Sequence, residues 1–237
     1  MRILNKQKDI QKLIEISDEE ISKTMQHITQ SDVTDEQIDQ EIDARIYFDD
    51  AIKTEPEICE KIKDESAGEG FTMDSEPQTG GLLSLLVASK PGGKFLELGT
   101  GYGYGAAWLL HGMDESSSLE SVEYNPAIAQ SARVQFDDPR LEVITADCHD
   151  FLRKVPSESY DLVFADAFAG KYYAVDEAIG CLKKGGFYVV DDLRYLEEWP
   201  MEFFEINRRV RQLIEDHPRL LTLNLNWATG LVIGVKR

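Results

Sequence analysis

Phe95-Leu96-Glu97-Leu98-Gly99-Thr100-Gly101-Tyr102-Gly103-Tyr104-Gly105 decides how this chain is read. Four mostly apolar residues have the length of a buried strand, four glycines at alternate positions break it, and Ala106-Ala107-Trp108-Leu109-Leu110 resumes as a helix. Glycine tolerates positive φ and has no Cβ, so such a turn lets backbone approach a ligand closely. The helix that follows aims its free N–H groups at the same place, which suits a carboxylate or a phosphate. A glycine turn alone does not name the ligand. Gly101-x-Gly103-x-x-Ala106 also fits the dinucleotide fingerprint.

Working outward, apolar runs alternate with helical segments. Residues 94–98, 119–123, 141–145, 160–165 and 187–190 read as strands, and 103–110, 126–136, 148–154 and 172–182 as the helices between them. A helix containing Leu82, Leu83, Leu85 and Leu86 precedes the first strand and ends at Pro91-Gly92-Gly93. This alternation predicts an α/β fold, a mostly parallel sheet covered on both faces. A long helical stretch, 197–216, follows, and runs at 220–225 and 230–235 close the chain as an antiparallel hairpin.

Ligands of open α/β sheets sit at the carboxyl ends of the strands, and acidic residues stand at every one of those ends. Glu97 lies just before the glycine turn, Glu123 ends the second strand, Asp147 follows the third, Asp166 the fourth, and Asp191-Asp192 the fifth. A dinucleotide wants one acid after strand two, for its ribose. A ligand with a ribose, an adenine amine and a permanent positive charge accounts for the rest. Glu123 accepts from both ribose hydroxyls, Asp147 accepts from the adenine amine or caps the next helix, and Glu97 orders the glycine loop or faces the cationic end.

The first seventy residues differ. Ile10, Leu13, Ile14, then Ile21, Met25, Ile28, then Ile38, Ile42, Ile46 recur at helical spacing, and Ser17–Glu20 and Thr34–Gln37 read as capping boxes. We expect a helical cap over residues 1–70, serving as plain packing, dimerisation arm or substrate lid, and a catalytic domain over 71–237, with Gly68 and Gly70 as the joint.

Composition narrows the partners. A chain of 237 residues with net charge -19 repels phosphate backbones and anionic lipid, so nucleic acid and membrane partners are not expected. No apolar run is long enough for a membrane span, and the first residues do not read as a signal peptide. Cys59, Cys148 and Cys181 form no CxxC pair and suit a reducing cytoplasm.

The run from Phe95 to Trp108 resembles motif I of the class I S-adenosylmethionine-dependent methyltransferases, particularly the small O-methyltransferases of the catechol O-methyltransferase kind. The likeness continues through Ser121-Val-Glu-Tyr-Asn-Pro126, Ala146-Asp147, Tyr160-Asp-Leu-Val-Phe-Ala-Asp166 and Gly185-Gly-Phe-Tyr-Val-Val-Asp-Asp192. It implies a Rossmann-like sheet of seven strands with the last antiparallel, and S-adenosylmethionine held by Met73, Ser75, Glu97, Gly99, Thr100, Gly101, Gly103, Glu123, Tyr124, Asp147, Cys148 and Asp166. It also implies a small-molecule acceptor, with Asp166 at the reacting centre and Lys171 or Asp191 as base or orienting group. In the metal-dependent branch, residues at the positions of Asp166, Asp191 and Asp192 bind a divalent cation such as Mg²⁺. Here Asp192 stands where that branch has Asn, Ala169 stands at the position of its lysine, and Lys171 is two residues out of register. Three other readings are weighed: an aminopropyltransferase of the spermidine synthase kind, a non-catalytic cofactor-binding protein, and a nicotinamide-dependent oxidoreductase. Tyr102 and Tyr104 line the methionine pocket or pack on the sheet. Trp199 walls an apolar substrate pocket, Trp227 belongs to the core, and His111, His149 and His217 read as packing or exposed residues.

Overall fold

A computed structural model describes residues 55–194 and 201–237, with side chains from 204 onward in the second stretch. The chain divides into units 1–50 and 51–237, and only the second falls among the described residues. The Ile-rich segments, both capping boxes and Trp199 therefore lie outside them.

Two helices, α1 (Ile58–Gly68) and α2 (Pro77–Ala88), lead into β1 (Lys94–Leu98). Then follow α3 (Tyr104–Gly112), β2 (Ser118–Glu123), α4 (Pro126–Gln135), β3 (Leu141–Thr145), α5 (Cys148–Leu152), β4 (Tyr160–Ala165), α6 (Val175–Cys181) and β5 (Leu182–Val190). The chain ends with α7 (Met201–Glu215), β6 (Leu220–Leu225) and β7 (Leu231–Lys236). The sheet has seven strands in the order β3-β2-β1-β4-β5-β7-β6. β1 to β5 pair in parallel, whereas β7 runs antiparallel between β5 and β6. Order reverses beside β1, so the loops after β1 and β4 diverge and leave a crevice at their carboxyl ends.

Alternation along the strands fixes the two faces. Phe95, Leu162, Phe164 and Val189 join Leu83 and Val87 of α2 and Ala106 and Leu109 of α3 in one apolar cluster. Leu96, Leu98, Val163, Ala165 and Val190 point the other way, to Leu152, Ala178, Ile179 and Ile214 of α5, α6 and α7. Helix starts follow local chemistry. The Asn125 side chain accepts from the Ala127 N–H at 2.9 Å and Pro126 takes the first turn of α4.

Two expectations shift. Helix α6 begins at Val175, not at 172, because 168–173 close a turn in which the Gly170 N–H donates to the Tyr173 carbonyl at 2.7 Å. Strand β5 starts at Leu182, five residues before the expected 187. Helix α1 lies against α3, with Cys59 and Ile62 fully buried beside Tyr102, Tyr104 and Trp108. No helix among the described residues is long and apolar enough to cross a membrane.

Candidate active site at the strand carboxyl ends

The glycine loop is shaped by what lies under it. Gly99 has φ +99°, and a Cβ there would stand 2.9 Å from the Asp166 carbonyl oxygen, so the turn after β1 presses backbone to backbone on the end of β4. At Gly105, on the first turn of α3, a Cβ would fall on Glu97 Oε1. Glu97 is thus roofed by the helix and is 1% exposed. Burial holds its carboxyl up at about 8; a hydrogen bond from Ser121 opposes the rise and the Glu123 charge adds to it. The Ser121 hydroxyl donates to Glu97, and Ser121 and Thr100 hydroxyls lie 2.6 Å apart, which ties β1, β2 and the loop together. In this arrangement Glu97 orders the loop from below.

Glu123 ends β2 with both carboxylate oxygens turned to backbone. Oε2 accepts from the Gly101 N–H at 3.1 Å and Oε1 from the Asn125 N–H at 2.8 Å. Each oxygen has a further lone pair, enough to accept from two vicinal hydroxyls. Asp147 caps α5, accepting from the Asp150 N–H at 3.0 Å, so the capping role weighed for it is real. Cys148 is buried beneath, its thiol pushed up to about 12 by burial and the Glu123 and Asp147 charges. Tyr124 and Met73 are 74% and 73% exposed on the rim. Gly103 has φ +100° as it turns the chain into α3.

The ends of β4 and β5 hold a knot of charge. Asp166 Oδ2 accepts from the Ser75 hydroxyl at 3.0 Å. Burial and the neighbouring Asp192 and Asp191 charges hold Asp166 well above the usual carboxylate range, against Lys171 and Ser75. Asp191 is buried and raised to about 6 by burial and Asp192; its Oδ1 accepts from the Thr229 hydroxyl at 2.6 Å and the Asp192 N–H at 2.7 Å. Thr229 also lies 3.1 Å from Glu76, just before α2. Lys171 is buried, with Nζ 2.9 Å from Asp192 Oδ2. Asp192 sits at φ +62°, and its carbonyl accepts from Asn207 Nδ2 at 2.8 Å, while Asn207 Oδ1 accepts from the Tyr172 hydroxyl at 2.9 Å.

The expected cation does not fit this donor set. Among the described residues no three His, Cys, Asp or Glu side chains are grouped to hold a metal ion. Asp166, Asp191 and Asp192 are each turned to a hydroxyl, a backbone N–H or the Lys171 ammonium, and that ammonium takes the position against Asp192 that a cation would need. A base role for Lys171 meets the same obstacle. Burial alone would lower its pKa, but Asp192 and Asp166 raise it, so it stays protonated.

Other residues resolve simply. Tyr102 and Tyr104 pack against α1, with the Tyr104 hydroxyl donating to Glu55 at 2.7 Å. Trp227 packs on the core. His217 meets Asp176 at 3.1 Å, His111 stacks edge-on against Trp108, and His149 lies 3.8 Å from Glu177. Sequence reasoning missed Ser121, Asn207, Thr229 and Glu76, whose roles come from partners distant in the chain.

Comparison with known proteins agrees with this geometry. Residues 96–193 match the methyltransferase domain family. A provisionally named O-methyltransferase of Mycobacterium sp. (strain KMS) is 34% identical over 120 residues, 48% of this chain and 54% of that protein. The chain thus spans about half the length of the curated relatives it matches. Among solved structures, cofactor-bound Rv0187 from MTB superposes with a TM-score of 0.69 at 23% identity, over 87% of this chain and 99% of that one. The O-methyltransferase from Bacillus cereus, in complex with SAH, gives a TM-score of 0.67 at 21% identity, over 84% and 97%. Residues 96–193 are thus similar to a methyltransferase domain, and the seven-stranded sheet that carries them has the fold of these two structures.

Proposed function

We propose that this domain binds S-adenosylmethionine across the carboxyl ends of β1 to β4 and methylates a hydroxyl group of a small molecule. One observation carries the reading: the glycine loop after β1 is laced to Glu123 at the end of β2 through the Gly101 N–H, which joins a backbone cradle to a diol-accepting carboxylate. The names of the mycobacterial relatives and the SAH in the Bacillus cereus structure support it.

When bound, the cofactor supplies a methyl group on a sulfonium whose sulfur departs as a neutral thioether. Glu123 accepts from the ribose hydroxyls and Asp147 faces the adenine side, with Tyr124 and Cys148 flanking it. Met73, Ser75, Gly99, Thr100, Gly101 and Gly103 enclose the methionine side, with Glu97 bracing the loop. Holding the acceptor oxygen in line with the methyl group provides much of the rate. The acceptor proton passes to Asp166, whose carboxylate is made more basic by burial and by Asp192 and Asp191. Asp191, bonded to Thr229 and the Asp192 N–H, orients the loop after β5. Three free cysteines fit a reducing cytoplasm, and net charge -19 argues against a nucleic acid substrate.

Calorimetric titration with S-adenosylhomocysteine tests the reading. The wild type binds, and Glu123→Ala binds about 10- to 100-fold more weakly, the scale of a hydrogen bond to a charged group. Equal affinity in the folded variant would overturn the ribose assignment.

A further inference from the structure

The carboxylates after β4 and β5 have a cation of their own. Lys171 Nζ lies 2.9 Å from Asp192 Oδ2, and its side chain is 5% exposed. It reaches that position because the turn at 168–173 folds back on the sheet. Gly170, at φ +82°, packs so tightly on Leu98 and Ala165 that a Cβ would stand 2.8 Å from the Leu98 side chain. Both ends of the ion pair are tied to the same asparagine. Tyr172, next to Lys171, donates to Asn207 Oδ1, and Asn207 Nδ2 donates to the Asp192 carbonyl. A buried ammonium is costly unless it is paired and held, and here it is both.

We propose that the Lys171 ammonium is the resident cation of the Asp166–Asp191–Asp192 cluster, and that the domain works without a divalent ion. The proposal rests on the reading of these strand ends as the acceptor side of a methyltransferase site. The Lys171 ammonium stands where a divalent ion bound by Asp192 Oδ2 would have to stand, and a second cation brought to that oxygen would be repelled at close range in a low-dielectric setting. The lysine sits two residues beyond the position where the metal-dependent branch carries its own, and that offset gives it a different task. It neutralises the carboxylates and positions the loop after β5, Asp192 included, through the Asn207 tether.

Mn²⁺ binding, followed by electron paramagnetic resonance and calorimetry on the full chain, tests this directly, with S-adenosylhomocysteine binding measured on the same samples. Wild type and Lys171→Arg, which keep a cation in place, take up no Mn²⁺ at the cluster. Lys171→Met vacates the position and binds Mn²⁺ at least about tenfold more tightly, one pKa unit's worth of charge interaction. Lys171→Gln carries the same comparison if the methionine variant does not fold. Mn²⁺ binding to the wild type that is lost in Asp192→Asn would overturn the proposal. So would a vacated variant that still binds S-adenosylhomocysteine yet gains no Mn²⁺. Failure of the wild type to bind S-adenosylhomocysteine would count against the methyltransferase reading instead, and the manganese comparison would still stand.

Discussion

Ser75 and Asp166 are 91 positions apart in the chain, and the serine hydroxyl donates to the aspartate at 3.0 Å. Through this bond the segment that precedes α2 is fastened to the end of β4, across the mouth of the crevice. Ser75→Ala removes one of the two influences that favour the charged form of Asp166. Stability should fall by about 0.5–1.5 kcal/mol, the net worth of one such bond, and S-adenosylhomocysteine should bind a few-fold more weakly. Chemical denaturation and calorimetry measure the two effects. If affinity is untouched while stability drops, the serine fastens the fold but not the ligand.

Gly105 and Glu97 occupy one space. Gly105→Ala should destabilise the domain by about 1–3 kcal/mol, the usual cost of overpacking, and disturb the glycine loop. In Glu97→Ala the carboxylate is gone, so adding Gly105→Ala to that background should cost less. A double-mutant cycle on denaturation midpoints reads the coupling. Strict additivity would mean that the two side chains do not meet.

Glu97 also gives the fold a pH dependence. In the folded state its carboxyl keeps the proton up to about pH 8, whereas an unfolded glutamate loses it near 4.5. Between those values the folded state binds more protons, so stability falls as pH rises through the window and levels off above about 8. Glu97→Gln removes this contribution and should flatten the profile. Denaturation at pH 5, 7 and 9 compares the two proteins; identical slopes would show that some other group sets the dependence.

Truncation separates the two units. Removing residues 1–50 should leave S-adenosylhomocysteine affinity within about tenfold, since the cofactor crevice is built from 55 onward. Removing 1–66 takes away Cys59 and Ile62, both fully buried against α3, and should cost several kcal/mol, as the loss of large buried side chains does. Thermal unfolding distinguishes the two cuts. A shorter chain as stable as the longer one would contradict the packing of α1.

Much of this was legible in the sequence because the signals are local. The run from Phe95 to Gly105 announces a strand, a tight turn and a helix by composition alone, and acids at successive strand ends mark the ligand side. Period-2 alternation and turn residues place six of the seven strands within a residue or two at each end. The start of β5 was missed because Lys183-Lys184-Gly185-Gly186 reads as a turn; these four residues interrupt the register between Leu182, which pairs with Tyr160, and Phe187, which pairs with Leu162. Lys171 could be counted but not interpreted: the turn that buries it depends on Gly170 meeting Leu98 and Ala165, contacts far apart in the chain. Thr229 and Asn207 were invisible for the same reason. A hydroxyl or amide becomes part of a site only when folding delivers a partner to it.

The position of β7 has a consequence for how the protein is made. It is synthesised after the six other described strands of the sheet, yet it lies inside that sheet, between β5 and β6, and Lys236 near its end is buried and donates to the Leu182 carbonyl. Thr229, which anchors Asp191, precedes it by two residues. Nascent chains fold from their amino end, so the glycine loop and the Glu123 contacts form early while β5 waits with one edge unpaired. An open strand edge invites pairing with other chains. Completion of the acceptor side, and protection of that edge, therefore come together once β7 has emerged and paired with β5.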